Sequence, residues 1–487
     1  MASTFHVENF GCRAARADGE AVSDRLCAAG LVLQNFVLAD VVIVNTCSVT
    51  AEADRAARAF IRRAHRQNPN ARIVVTGCYA QRAPQELAGL EGVSAVIGNS
   101  HKALAPKIVL GLLGRAAPHM SSELIQVRTA TDLERAGSEQ MAPPPVVWAD
   151  DRFAHSFLEE AQVIPGTQTR PNLKIQEGCG NRCTFCVIPQ TRGSSKSLPA
   201  SSVLKQVEGF VAAGGNELVF SGINLGRWGR DLSASSRTGD SGQAPSTLAA
   251  LVLHIFERTG LPRLRLSSIE PMDWDSELIG LMAEFGGRRL ARHAHLPLQS
   301  GSDAVLRRMH RRYRPWHYAD KVASLVRAAG PELTLGADVM VGFPGESDAE
   351  FEETLALIRA LPFGYLHLFP FSPRPGTPGW ALHAERPVPA QVAEERMAAL
   401  RTLAGEKTKA HRLSFVGREL NAITLHTPAE MAARGRTAAL TENFVPVELK
   451  GQMDSNRLVR LRVTGLTGEM ALQALDVTLE QVTTASL

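Results

Sequence analysis

The chain has 487 residues, too many for one ordinary core, so two to four domains are expected. Hydrophobic residues make up 44%, yet no run approaches the ~18 unbroken apolar residues of a membrane helix and the first residues lack signal-peptide character; the expectation is a cytoplasmic protein with no membrane partner. A net charge of +4 is too slight to point to nucleic acid by itself, and seven cysteines in a long cytosolic chain argue for metal or catalytic work over a disulfide framework.

Residues 1–115 alternate strand-like and helical runs, with strands over Phe5–Phe10, Val41–Val44, Arg72–Thr76 and Val93–Ile97. Such alternation predicts a parallel α/β sheet. Three strands end alike, as Phe10-Gly11-Cys12, Asn45-Thr46-Cys47 and Thr76-Gly77-Cys78. Ligands of open parallel sheets bind outside the carboxyl ends of the strands, so these three cysteines can meet as a metal site. Cys27, mid-helix beside Leu26 and two alanines, reads as a packing residue.

The helix after Cys47 places Arg55, Arg58, Arg62 and Arg66 in one stripe, with Ala57, Ile61 and Ala64 opposite. With no acidic residue interleaved, the stripe is as compatible with a phosphate-binding surface as with a solvated face. Residues 116–168, including Ala142-Pro-Pro-Pro145, lose periodicity and read as a linker, with a short helical piece near Phe157–Ala161.

From residue 169 to 400, strands and helices alternate six times. Strands are expected over Leu173–Glu177, Glu217–Ser221, Leu264–Ser268, His293–Gln299, Leu333–Val341 and Tyr365–Phe371, with helices such as Ala200–Ala213 and Trp316–Ala329 between them. This pattern predicts a partial TIM-type (βα)6 barrel. Ser347-x-x-Glu350 is a capping box, and the Ser/Gly-rich run Ser233–Ser246 reads as a surface loop. Polar residues at strand ends, Ser221, Gly222, Ser268, Gln299 and Asp338, mark one rim as a ligand site.

At the first strand's end stands Cys179-Gly-Asn-Arg-Cys183-Thr-Phe-Cys186. A structural zinc site wants four protein ligands, and no fourth cysteine or nearby histidine is on offer. A [4Fe-4S] cluster held by three cysteines keeps one iron open. Residues 412–483 then change to five short strands, Leu420–His426, Arg436–Leu440, Phe444–Leu449, Leu458–Val463 and Ala471–Leu475, which predict a small antiparallel barrel. Arg460 and Arg462 alternate onto one face of it, opposite Leu461 and Val463.

The Cys179–Cys186 loop resembles that of radical S-adenosylmethionine (SAM) enzymes. Together with a sheet domain bearing one cysteine after each of three strands, it resembles the radical SAM methylthiotransferases, which modify tRNA or a ribosomal protein. Asn45-Thr46-Cys47-Ser-Val-Thr50, Thr76-Gly77-Cys78-Tyr-Ala-Gln81, Leu296-Pro-Leu-Gln-Ser-Gly301 and Phe369-Pro-Phe-Ser-Pro-Arg-Pro-Gly-Thr-Pro378 look like family segments. The resemblance implies two [4Fe-4S] clusters, one on Cys179, Cys183 and Cys186 that cleaves SAM and one on Cys12, Cys47 and Cys78 involved in sulfur delivery. It also implies SAM on the rim, with Phe185 near the adenine and Gly222 near the methionine part, and a need for an electron donor. The C-terminal segment resembles a TRAM RNA-binding domain. Leu264-Arg-Leu-Ser-Ser-Ile-Glu-Pro271 and Arg182-Cys-Thr-Phe-Cys-Val-Ile-Pro189 look most like the branch acting on N6-threonylcarbamoyladenosine beside the tRNA anticodon. The isopentenyladenosine and ribosomal-protein branches are the alternatives, and a non-catalytic iron-sulfur RNA-binding protein is the alternative from another class.

Overall fold

Val41–Thr46 (β3) is buried at every position because helices cover both faces of its sheet. Val41 and Ile43 pack with Ala21, Val22 and Leu26 of helix α1 (Arg13–Ala28). Val42 and Val44 pack with Ala57, Phe60, Ile61 and Ala64 of helix α2 (Ala51–Gln67). In a strand successive side chains point to opposite faces, so one apolar run feeds two cores.

The computed structural model describes residues 3–114, 145–157, 169–232, 245–468 and 471–479. The first sheet is parallel, with order β2-β1-β3-β4-β5-β6, where β1 is Thr4–Asn9, β2 Val32–Leu33, β4 Arg72–Gly77, β5 Val93–Gly98 and β6 Val146–Trp148. The four expected strands are present. β2 and β6 are additions, each too short to show periodicity. β6 corrects the linker reading: residues 146–148 extend the first sheet beside β5, and His155 bonds back to Ser100 and Ala103. Residues 115–144 and 158–168, with most of the expected linker and helical piece, and 233–244 of the Ser/Gly-rich run lie outside the described residues.

All six strands of the central domain form: β7 (Asn172–Glu177), β9 (Glu217–Gly222), β10 (Arg263–Leu266), β11 (His293–His295), β12 (Thr334–Val341) and β13 (Phe363–Pro370). Lys196–Ser197 (β8) adds a short antiparallel edge to β7. The ladder is interrupted between β10 and β11, where Leu264 accepts from Ala291 N–H at 2.9 Å and donates to Arg289 at 2.8 Å. β11 ends earlier than expected, since Pro297 has no N–H to offer a ladder. A single core lines the arc, including Trp228, Trp274, Tyr313 and Tyr318. Ser347 and Glu350 make the expected reciprocal capping box.

α1 packs on β7 and β9, which brings the cysteine end of the first sheet to the barrel mouth. The C-terminal strands β14 (Glu419–Thr424), β15 (Arg436–Thr441), β16 (Pro446–Lys450), β17 (Leu458–Leu466) and β18 (Leu472–Leu479) close as β14-β15-β16-β18-β17. The expectation of a wholly antiparallel barrel needs correction at one seam, because β16 and β18 pair in parallel. The barrel docks on the central domain through Glu442, which accepts from Arg292 at 2.7 Å, and through Asn456 on Asn216. Among the described residues, no helix is long and apolar enough to cross a membrane.

Candidate active site at the barrel mouth

The loop after β7 begins at Gly178, whose φ of +69° and 2.0 Å approach of a virtual Cβ to the Ser194 carbonyl leave room only for glycine. Cys179 N–H then bonds Gly193 at 3.0 Å and Cys186 N–H bonds Cys183 at 3.1 Å, which folds the three thiols into one turn. Donors surround the sulfurs. Asn181 N–H lies 3.4 Å and Asn224 Nδ2 3.6 Å from Cys179 Sγ, and Arg311 Nη1 lies 3.3 Å from Cys183 Sγ. Arg311 is itself held by Glu270 at 2.5 Å.

Cys12, Cys47 and Cys78 follow the carboxyl ends of β1, β3 and β4. Gly11, at φ +109°, lies against Cys47, where a virtual Cβ would be 2.9 Å from the sulfur. Arg192 Nε and Asn99 Nδ2 donate to Cys78 Sγ at 3.2 and 3.4 Å.

The thiols suit a multi-iron cluster better than a lone ion. Burial, and then the neighbouring Cys78 and Cys12, push the Cys47 thiol up to about 12, and burial does the same to Cys186. Thiolates at such positions require a strong cation. Each set offers three free thiols, one ligand short of a closed structural zinc site and the number that leaves one iron of a [4Fe-4S] cluster open.

A cavity of about 330 Å³ lies where the first domain meets the barrel, lined by Cys12, Arg13 and Ala14 from one side. From the barrel come Ser221, Gly222, Ser267, Ser268 and Asp338, with His293, His295, Tyr365 and His367. Four of the expected rim residues, Ser221, Gly222, Ser268 and Asp338, thus share one wall. Gln299 does not line it: it sits at φ +64°, with its N–H on the Asp338 carbonyl at 2.7 Å and a buried, unpartnered Oε1. Phe185 also lies outside it, packed against an apolar cluster that includes Met340 and Phe343.

The sequence reading missed the histidines. His295 Nε2 and His367 Nδ1 bond Asp338 Oδ1 at 3.1 and 3.3 Å. Burial opposes charge on Asp338, but these two bonds outweigh it and hold the carboxyl well below its usual range. His293 and His295 both reach the Tyr365 hydroxyl, at 2.8 and 3.0 Å. The available signal was the alternation His293-Ala-His295, which puts both rings on one strand face.

The arginine stripe is only partly as expected. Arg55, Arg62 and Arg66 are exposed, but Arg58 is taken up by the Tyr79 hydroxyl and by Glu86 at 3.0 Å. The acidic partner comes from another helix, out of reach of a scan along α2. Arg460 and Arg462 do share an exposed face over buried Leu461 and Val463, and both donate to Glu419, at 2.5 and 3.1 Å. Cys27 is exposed, which corrects its reading as a packing residue: it lies one position past the buried stripe that ends at Leu26.

A partial (βα)6 barrel with a three-thiol loop at its mouth defines a radical SAM enzyme, and residues 173–358 match the model of the Radical SAM superfamily. Residues 4–98 match a second model, the uncharacterized protein family UPF0004. The threonylcarbamoyladenosine tRNA methylthiotransferase MtaB of Bacillus subtilis is 33% identical over 95% of this chain and 94% of its own. That of Aquifex aeolicus is 31% identical over 94% and 99%. The tRNA-2-methylthio-N(6)-dimethylallyladenosine synthase of Cereibacter sphaeroides is 32% identical over 94% and 95%. The chain belongs to the radical SAM methylthiotransferase family.

Proposed function

We propose that this protein adds a methylthio group to C2 of N6-threonylcarbamoyladenosine beside the tRNA anticodon, using SAM and two [4Fe-4S] clusters. The observation that carries the reading is the shared cavity, with Cys12 on one wall and Ser221, Gly222 and Ser268 on the other. Full-length relatives named for this nucleoside support the substrate.

Cys179, Cys183 and Cys186 would hold one cluster and Cys12, Cys47 and Cys78 the other. When bound, the first cluster and SAM supply a one-electron cleavage that yields a hydrogen-abstracting radical, and the second supplies the sulfur-delivery site. The chain's own groups position and charge-balance this chemistry. Arg311 and Asn224 donate to the first thiol set, and Arg192 and Asn99 to the second. Ser221, Ser268 and Asp338 offer polar contacts to SAM, and Gly222 leaves its backbone open beside Gln176, where a Cβ would stand 2.9 Å away. His295 and His367 keep Asp338 ionised and fixed. Exposed Arg55, Arg62 and Arg66 suit RNA phosphates, with Arg460 and Arg462 on the C-terminal barrel as a second, partly neutralised patch. An electron donor and a cytoplasmic setting complete the reading.

The test is anaerobic reaction of the reconstituted protein with anticodon stem-loops carrying threonylcarbamoyl- or isopentenyladenosine, followed by nucleoside mass spectrometry. Methylthiolation of the first is expected; turnover of the isopentenyl RNA alone would assign the chain to the other branch.

A further inference from the structure

The cavity between Cys12 and the barrel rim carries an unmatched positive charge. Arg13, the residue after Cys12 and the first of α1, lines it and is open to it. It forms no hydrogen bond or ion pair with any described residue, and its guanidinium lies 5.4 Å from the centre of the Phe444 ring. The neighbouring arginines already share one carboxylate, which leaves none for Arg13. Glu217 takes Arg265 at 2.8 Å and Arg170 and Arg263 at 3.4 Å, which leaves it saturated. Asp338, the one carboxylate among the described residues of the cavity wall, is held by His295 and His367. Two further polar atoms of wall residues, Ser267 Oγ and His293 Nδ1, are buried and unpartnered.

We infer that Arg13 receives a carboxylate in the reaction cavity, and that this carboxylate is the threonyl group of the substrate nucleoside. The inference rests on the substrate reading above and deepens it, since it makes Arg13 the residue that distinguishes an acidic N6 substituent from an apolar one. A guanidinium fork matches a carboxylate in two parallel hydrogen bonds. An isopentenyl group would leave the guanidinium desolvated and unpaired, which is how polar sites reject analogues that lack the matching group. The methionine carboxylate of SAM is the other source of the same chemistry. Ser221, Gly222 and Asp338 of the same wall are read above as SAM contacts, so the experiment below separates the two sources.

The experiment compares anticodon stem-loops bearing N6-threonylcarbamoyladenosine with the same RNA as its threonine methyl ester, bound to reconstituted protein whose iron content is measured in parallel. Wild type should favour the free acid by about ten- to a hundredfold, the range of one charge-assisted contact. Arg13→Gln should bring that ratio close to one, and Arg13→Lys should restore part of it. A merely structural role for Arg13 would weaken both RNAs equally and leave the ratio alone, which overturns the inference. So does a loss of SAM affinity in Arg13→Gln with the acid/ester ratio intact, which assigns Arg13 to SAM. Should Arg13→Gln fail to hold iron, the wild-type ratio together with Arg13→Lys still decides, and a wild-type ratio of one sinks the idea. Failure of the substrate reading shows differently, as wild-type turnover of isopentenyl RNA and none of threonylcarbamoyl RNA.

Discussion

Arg192 Nε donates to Cys78 Sγ at 3.2 Å, so a residue of the segment that follows one cysteine loop touches a ligand of the other set. The same guanidinium bonds Glu177, two residues before Cys179, at 2.7 Å and Asp18 at 3.1 Å. Lys102 and Lys174 complete a buried group of three cations and two carboxylates, with Lys174 2.7 Å from Glu177 and Lys102 3.2 Å from Asp18. Burial opposes the charge on Glu177, yet Arg192, Lys102 and Lys174 hold it well below the usual carboxylate range. The surplus positive charge of the group faces Cys78.

Removing Arg192 should therefore affect folding and the N-terminal metal site together. Taking one partner from a buried ion network strands the rest, at a cost of about 3–5 kcal/mol. Arg192→Met should lower the apoprotein's unfolding free energy by that order and reduce iron at the N-terminal set, whereas Arg192→Lys should keep part of both. Denaturant unfolding and iron analysis of the two variants check this, and a Met variant as stable as wild type would leave the network without structural weight.

Part of the acid sensitivity should come from His411, at the joint between the central domain and the C-terminal barrel. Its Nε2 bonds Thr334 Oγ1 at 2.8 Å and its ring stands edge-on to Phe415 at 4.9 Å. Burial, with a smaller contribution from Arg412, lowers its pKa from 6.5 to about 4. The unfolded chain thus binds this proton more tightly, so stability is full above the unfolded value and falls as pH drops from 6.5 to about 4. The loss near pH 5 should be on the order of 2 kcal/mol. His411→Gln should flatten this part of the curve in urea unfolding at about pH 7 and about pH 5; an unchanged slope would place the acid sensitivity elsewhere.

The elements readable in advance were those whose signal is local. β3 and β4 are apolar runs bounded by turn residues, the Ser347 capping box is a four-residue motif, and the Cys179–Cys186 loop is contained in one turn. What escaped depends on contacts between distant segments. β6 is three residues long and becomes a strand only because β5 offers it an edge. Glu86 neutralises Arg58, and Glu419 meets Arg460 and Arg462, across spacings that no helix or strand period encodes. The same holds at the site, where Asp338 was visible as a polar strand end, but its histidine partners come from β11 and β13.

RNA affinity should respond to Arg55 and Arg62 and not to Arg58 in the same way. Each phosphate contact lowers the slope of log K against log salt by roughly 0.7 to 0.9. Arg55→Ala/Arg62→Ala should weaken tRNA binding and make that slope shallower by about one to two units. Arg58→Ala, which loses its bonds to Tyr79 and Glu86, should act on stability and leave the slope near wild type. Filter binding at several salt concentrations separates the two, and an unchanged slope in the double variant would confine RNA recognition to the C-terminal barrel.

Division of labour between the two cysteine sets is tested most directly by one anaerobic assay of wild type, Cys183→Ala and Cys78→Ala. Each reaction contains SAM, reductant and threonylcarbamoyladenosine-bearing RNA, and is scored by mass spectrometry for 5′-deoxyadenosine and for the methylthiolated nucleoside. Wild type should hold about eight irons per chain, two cubanes of four, and yield both products. Cys183→Ala should yield neither. Cys78→Ala, with the iron of its remaining set intact, should still form 5′-deoxyadenosine and give no methylthiolated nucleoside. Methylthiolation by Cys78→Ala, or loss of SAM cleavage in that variant while the Cys179, Cys183 and Cys186 set keeps its iron, would contradict separate roles for the two sets.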